Sequence, residues 1–353
     1  MDLEELRARR LHGQGLGAVR FADGIDAVRR LGAVQAQELP GALWGIAQRT
    51  RAPSRDDVVA AMDRGDLLRA HVLRPTWHIT AGEDLAWLQR LTGPRVERAV
   101  GSNYRIHGLD PAELRRASVA IENALRGGGA ATRRELVAAL EAAGVDTTDP
   151  IRLAHIALHT EVTGLVCSGP DHEGNPTYAL LRDRVPHGRT ITDDAARDEL
   201  ALRYFATRGP ATDRDLAWWS GMTLGTVRAA IAALDDRLTR HACAGVDYWS
   251  GTDAPAVAMP DEVLLLPAYD EYLISYADRS ALLHPDASTQ QSGRRNPLFD
   301  RVIVDRGVVV GTWSIDQRTG SVEPRFLDAQ NAGRQRVLAA AVDRYQDFAR
   351  SVS

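Results

Sequence analysis

Two helix-start signatures, Thr132 with Glu135 and Thr212 with Asp215, stand 80 residues apart and head the same succession of elements. In each, the threonine hydroxyl can accept from the amide three residues on while the acid reaches back, a capping box. Ahead of the first box, Leu114, Ser118, Ile121 and Leu125 trace one face of a helix that opens near Pro111 and stops at Gly127–Gly129. Behind it, Gly144 closes the capped helix, and Asp149 with Pro150 opens a third that ends at Gly164. Apolar runs at 165–167 and 177–180, separated by a polar turn, then read as a hairpin. Three helices followed by a two-stranded hairpin is a winged helix-turn-helix. The second box repeats the order: a helix over 194–207 broken by Gly209-Pro210, a short helix DRDLAWWSG, a helix capped by Thr223, and strands at 237–240 and 246–249.

A third, less regular copy is expected near the N-terminus. Ser54 with Asp57 caps DDVVAAMDRG, and strands at 68–73 and 76–80 flank Pro75. Beyond residue 256 the pattern changes. EVLLLPAYDEYLISYADR reads as a buried strand or helix pair, ASTQQSGRRN as a mobile loop, RVIVDRGVVVGTW and SVEPRFL as strands, and 328–348 as a closing helix. The expected fold is therefore mainly α with small β (α+β): winged-helix modules at 1–105, 106–190 and 191–255, then a strand-rich closing segment at 256–353.

Composition narrows the chemistry. All 43 basic residues are arginine, so a lysine Schiff base, a lysine general base and a P-loop lysine are excluded. Cys167 and Cys243 are far apart and form no CxxC, which argues against a zinc ribbon or a disulfide framework. No window approaches 18 uninterrupted apolar residues, and MDLEELRARRLHGQGLG lacks the apolar core of a secretory signal. A cytoplasmic protein without metal, cofactor or membrane partner is expected. The net charge of −4 means that nucleic-acid binding would require arginines segregated onto one surface.

Two segments carry the candidate chemistry. In VQAQELPGALWGIAQR, Gln35 and Gln37 bracket one alanine; in LLRAHVLRPTWHIT, His78 and Thr80 share one alternation. Ile25, Val28, Leu31 and Val34 mark a helix, on which positions two apart point about 200° from each other. For both amides to meet one cavity, that helix must end or distort near Gln35, and Pro40-Gly41 permits it. By spacing alone, the two glutamines read as a solvated surface or a helix-end cap.

The motifs in order, continued by DLAWWSGMTLGTVRAAIAAL, LLPAYDEYLISYADR and VVVGTW, resemble the winged-helix DNA glycosylases of the AlkZ and YcaQ type. The signature of that family is Gln-x-Gln (or Gln-x-Asp) with a downstream His-x-Thr or His-x-Ser. With glutamine at both positions, this chain is similar to the AlkZ-like branch. The resemblance implies catalytic roles for Gln35 and Gln37, and supporting roles for Trp77, His78, Thr80, Tyr269 and Asp270. Arg49, Arg74, Arg294 and Arg295 are candidate phosphate contacts. The implied activity is monofunctional hydrolysis of alkylated bases at N7 of guanine or N3 of adenine, bulky adducts and interstrand crosslinks included. The implied partner is damaged duplex DNA, bound by a monomer. A non-enzymatic winged-helix DNA-binding regulator is the alternative. His155 and His159, four apart on a helix, lack the HExxH pattern and read as a packed face, as do Trp218 and Trp219.

Overall fold

The structure, a computed structural model, describes residues 1–243, 245–252, 257–284, 300–327 and 332–350. The chain packs as two units, 1–59 with 197–353 and 60–196. In the first unit, Asp2 caps α1 (Leu3–Gly13) and Asp23 caps α2 (Gly24–Leu31), each carboxylate accepting from the third amide beyond it. Gly32, in the left-handed half of φ space at 78°, stops α2. Residues Val34–Gln35 then form a short strand, β1, and α3 (Leu39–Ala47) follows with Pro40 in its first turn. The helix thus ends earlier than the expected break near Gln35. Pro40 opens the next helix, where the residue's missing N–H costs nothing, and Leu39 itself is helical.

Ser54 Oγ accepts from the Asp57 amide at 3.1 Å to start α4 (Arg55–Arg64), in which the chain enters the second unit. There β2 (Leu67–Val72) and β3 (Arg74–Ala81) form an antiparallel hairpin that pairs Ala70 with His78 and Leu68 with Thr80. Next comes α5 (Gly82–Ile106), a 25-residue helix that runs through Gly93-Pro94. Then α6 (Pro111–Leu125), β4 (Ala130–Thr132), α7 (Arg133–Ala142), α8 (Pro150–Val162), β5 (Val166–Ser168), β6 (Thr177–Leu180) and α9 (Leu181–Arg184) complete the unit. The capping box at Thr132 forms as expected, and Asp110 and Asp149 cap their helices. Ile121, Leu125, Leu136, Leu140 and Ile156 close a core beneath the β4-β6-β5 sheet. Burying each such side chain is worth about 1.5–3 kcal/mol.

The chain returns to the first unit within α10 (Asp193–Arg208). The second capping box, at Thr212, starts α11 (Asp213–Ser220); Thr223 caps α12 (Leu224–Leu234); β7 (Leu238–Cys243) and β8 (Val246–Gly251) pair as a hairpin. The closing segment is an antiparallel sheet in the order β12-β11-β10-β9, from β9 (Val263–Leu266), β10 (Val302–Asp305), β11 (Val308–Ile315) and β12 (Val322–Phe326). A four-residue helix, α13 (Glu271–Ile274), follows β9, and α14 (Ala332–Arg350) packs on β9. Trp44 of α3 donates to the Leu265 carbonyl at 2.7 Å and lies 5.3 Å from the Tyr345 ring, joining the helix after the glutamines to the closing sheet. About 51% of the chain is helical, an α+β fold. The segment ASTQQSGRRN falls outside the described residues.

Gly93 makes the long helix α5 compatible with its neighbour. A Cβ there would stand 2.8 Å from the Val162 carbonyl oxygen of α8, inside van der Waals contact. Gly93→Ala should therefore lower the unfolding free energy by about 1–3 kcal/mol, the cost of overpacking. Urea denaturation followed by circular dichroism measures it.

Candidate active site

Gln35 ends β1 and Gln37 stands two residues on, in the bend before α3, so no helical distortion is needed to bring the two residues close along the chain. Gln35 is 6% exposed, and Gln37 is exposed. The Gln37 backbone N–H donates to Gln35 Oε1 at 3.3 Å, turning the Gln35 carboxamide back onto the chain at residue 37. Both carboxamides offer acceptor and donor atoms, and neither changes charge in the working pH range.

The backbone of this segment is held by a buried ion pair. Glu271 Oε1 accepts from the Gln35 amide at 2.9 Å, and Glu271 Oε2 accepts from Arg208 Nη2 at 2.6 Å. Arg208 in turn donates to the Leu31 carbonyl at 2.7 Å and to the Ala33 carbonyl at 3.0 Å. Trp219 Nε1 donates to Glu271 Oε2 at 2.9 Å, its ring lies 4.2 Å from the guanidinium carbon, and Ser275 Oγ hydrogen-bonds both members of the pair. Every oxygen of the carboxylate has a donor, the condition under which a buried charge is tolerated.

The adjacent acid takes a second arginine. Asp270 receives Arg49 in a two-pronged contact, Nη2 to Oδ1 at 2.7 Å and Nη1 to Oδ2 at 2.9 Å. Arg49 Nη1 also donates to the Gly45 carbonyl at 2.6 Å, placing a cation at the C-terminal end of α3. The fit at Gly45 is close, since a Cβ there would lie 3.3 Å from Asp270 Oδ2. Tyr269 takes a left-handed φ of 60° just before, and Asp270 is extended (ψ 141°) as the N-cap while Glu271 is already helical, so the two acids leave the turn in different directions. A chain of buried polar groups joins the pairs: Arg49 Nη2 donates to Gln14 Oε1, Gln14 Nε2 to Tyr276 Oη, and Tyr276 Oη to the Arg208 carbonyl. Burial pushes the Tyr276 phenol up to about 12, which keeps it a neutral donor.

These contacts correct one expectation and refine two others. Arg49 is 1% exposed and spent on Asp270, so it is a structural cation and not a phosphate contact. Tyr269 and Asp270 lie in the turn that leads into Glu271, the residue that accepts from the Gln35 amide. Nothing at the level of motif singles out Arg208, yet a signal was present. It lies eight, seven and four residues after Leu200, Ala201 and Tyr204, on the wholly buried face of α10.

Trp77, His78 and Thr80 lie on β3 in the other unit, with His78 and Thr80 on one face and fully buried. His78 Nδ1 donates to the Thr76 carbonyl at 2.9 Å, which leaves Nε2 as the acceptor nitrogen. Trp77 points to the opposite face, where its Nε1 donates to Glu161 at 3.3 Å beneath the Arg69 guanidinium, 4.4 Å from the ring. Burial lowers the Arg69 pKa. Glu161 also accepts from His71 Nδ1 at 2.7 Å. Arg74 is half-buried, and Arg294 and Arg295 fall outside the described residues. In the first unit, a groove of about 900 Å³ is lined by Arg20, Arg29, Arg30, Arg51, Arg203 and Arg237 against Asp26, Glu199 and Asp236. Helix α2, which leads to Gln35, forms part of its wall.

Residues 28–348 match the family model described as DNA glycosylase AlkZ-like, and the chain belongs to that family. It is a DNA glycosylase, a hydrolase of N-glycosyl bonds. A curated relative, the interstrand DNA cross-link repair glycosylase of Streptomyces sahachiroi, is 24% identical over 322 residues, covering 86% of this chain and 85% of that protein. The solved structure of Streptomyces sahachiroi DNA glycosylase AlkZ has the same fold, with a TM-score of 0.83 at 22% identity over 99% of this chain and 96% of that one.

Asp270→Ala would leave the Arg49 guanidinium buried without its carboxylate. The expected loss is about 3–5 kcal/mol of stability, and part of it should return when Arg49→Met removes the stranded charge as well. Chemical denaturation of the single and double variants decides this.

Proposed function

We propose that this glycosylase removes alkylated bases, N7-substituted guanine and N3-substituted adenine, from duplex DNA, bulky adducts and interstrand crosslinks among them. The observation that carries the reading is the pair of neutral side-chain amides, Gln35 at the end of β1 and Gln37 in the bend that follows, joined by the bond from the Gln37 backbone N–H to Gln35 Oε1. Alkylation at these nitrogens makes the base a cation and already a good leaving group. Its departure leaves an oxocarbenium-like sugar, as in glycoside hydrolysis. A strong general base is then unnecessary. Two carboxamide oxygens orient the attacking water and present partial negative charge to the sugar, which is positioning with electrostatic stabilisation. With no lysine in the chain, cleavage proceeds by water and not through a lysine imine.

The three helix-and-hairpin stretches act as winged helices on the duplex, with His78, Thr80 and Trp77 supporting the site. The arginine-lined groove of the first unit offers a surface for phosphates. Position N7 of guanine faces the major groove, so a crosslinked base can be reached without the full extrusion that a tight pocket demands. The activity of the Streptomyces relative, cross-link repair, favours that substrate class and favours an enzyme over a non-catalytic regulator. Among the described residues no helix is long and apolar enough to cross a membrane. We place the protein in the cytoplasm, acting on the nucleoid as a monomer.

Single-turnover excision of N7-methylguanine, read as heat-labile abasic sites, should fall by about 10²–10³ in Gln35→Ala and in Gln37→Ala. A double variant that excises at the normal rate would refute the assignment. Because amides do not titrate near neutrality, the wild-type rate should change by less than about threefold between pH 6 and pH 8. A bell-shaped profile in that range would instead point to a titrating acid or base.

A further inference from the structure

We infer that Glu271, with Arg208, is a positioning residue for excision: the pair fixes which side chains of the 33–37 segment face the substrate. The inference rests on the catalytic reading of Gln35. Along an extended strand side chains alternate, and a slip of one residue exchanges the two faces. Here a slip of one residue would set the apolar Val34 or Ala36 where Gln35 stands and carry Gln37 out of place with it. The strand is two residues long, too short for its own ladder to specify register. What reads the register is the ion pair. Glu271 accepts from the amide of residue 35, while Arg208 donates to the carbonyls of residues 31 and 33. These three backbone groups come from alternate residues, so a shift by one would present none of them in place.

The pair is itself rigid. Trp219 Nε1 and Ser275 Oγ both donate to Glu271 Oε2, and the Trp219 ring covers Arg208. Both charged side chains are fully buried. A buried ion pair gains little net stability over apolar replacements of the same size. Its retention beneath a candidate catalytic strand points to specification of one backbone arrangement. Glutamine at position 271 keeps the shape but has one carbonyl oxygen to divide between the Gln35 amide and Arg208, so one of the two contacts is lost.

The test uses the full-length chain, duplex containing one N7-methylguanine for single-turnover excision, and a duplex with a tetrahydrofuran abasic analogue for affinity. Glu271→Gln should lower the excision rate at least tenfold with Kd for the analogue duplex within about twofold of wild type. Combined with the Gln35→Ala, Gln37→Ala double variant, it should add no further loss, since it acts only through those two residues. Circular dichroism and thermal melting report folding. If Glu271→Gln does not fold, Ser275→Ala, which keeps both charges and removes one brace, should show the same non-additive pattern at two- to fivefold. Multiplicative losses, or a normal rate in the folded variant, overturn the inference. A normal rate in Gln35→Ala alone overturns the catalytic reading beneath it, a separate outcome.

Discussion

Glu271 and Arg208, two opposite charges withdrawn from water, carry a desolvation cost of several kcal/mol each, and the rest of the site is arranged around how that cost is met. It is met locally by Trp219, Ser275 and the backbone of the 31–35 segment, so the pair and the segment hold one another. Neither would keep its geometry alone. An extended stretch of this length leaves peptide groups that must find partners elsewhere, and an exposed ion pair would surrender its donors to solvent.

The neighbouring residue extends the same logic to the other end of the motif. Asp270 takes Arg49, which also caps α3, while Glu271 takes the amide of Gln35. Two adjacent acids thus bracket the chain from 35 to 49, and the change from extended Asp270 to helical Glu271 sets their divergence. The Gln14 and Tyr276 bridge between the pairs makes this a single network within one unit, in which every member has a stated partner. Preorganisation of this kind is what a mechanism without a titrating base requires. In the mechanism proposed above, where the carboxamides point is what would lower the barrier, with little left for reorganisation during the reaction.

What the sequence disclosed follows the range of the interactions. Capping boxes at Thr132 and Thr212, and Pro111 and Pro150 in first turns, act within four residues, so the helices they start were legible. The long helix α5 was not, because Gly93-Pro94 reads locally as a stop and only the approach of α8 explains the glycine. The glutamine segment was placed at the end of a helix since Val34 continues the spacing of Ile25, Val28 and Leu31. Gly32 breaks that continuity, and the partners that make the segment extended lie more than 170 residues away. Arg49 was assigned to phosphate for a related reason. Its carboxylate is 221 residues distant, and nothing local marks it as buried. Family resemblance supplied what periodicity did not, the link between the glutamines and base excision, and the family match upholds the activity at that level.

The direct measure of the account is backbone amide hydrogen exchange at Gln35, followed by isotope-edited NMR in the folded wild-type protein and in Glu271→Gln. If the Glu271 carboxylate holds the strand in register, the Gln35 amide is strongly protected in the wild type and exchanges at least tenfold faster in the variant, while amides in the β9 to β12 sheet are unchanged. Equal protection of the Gln35 amide in both proteins would contradict it.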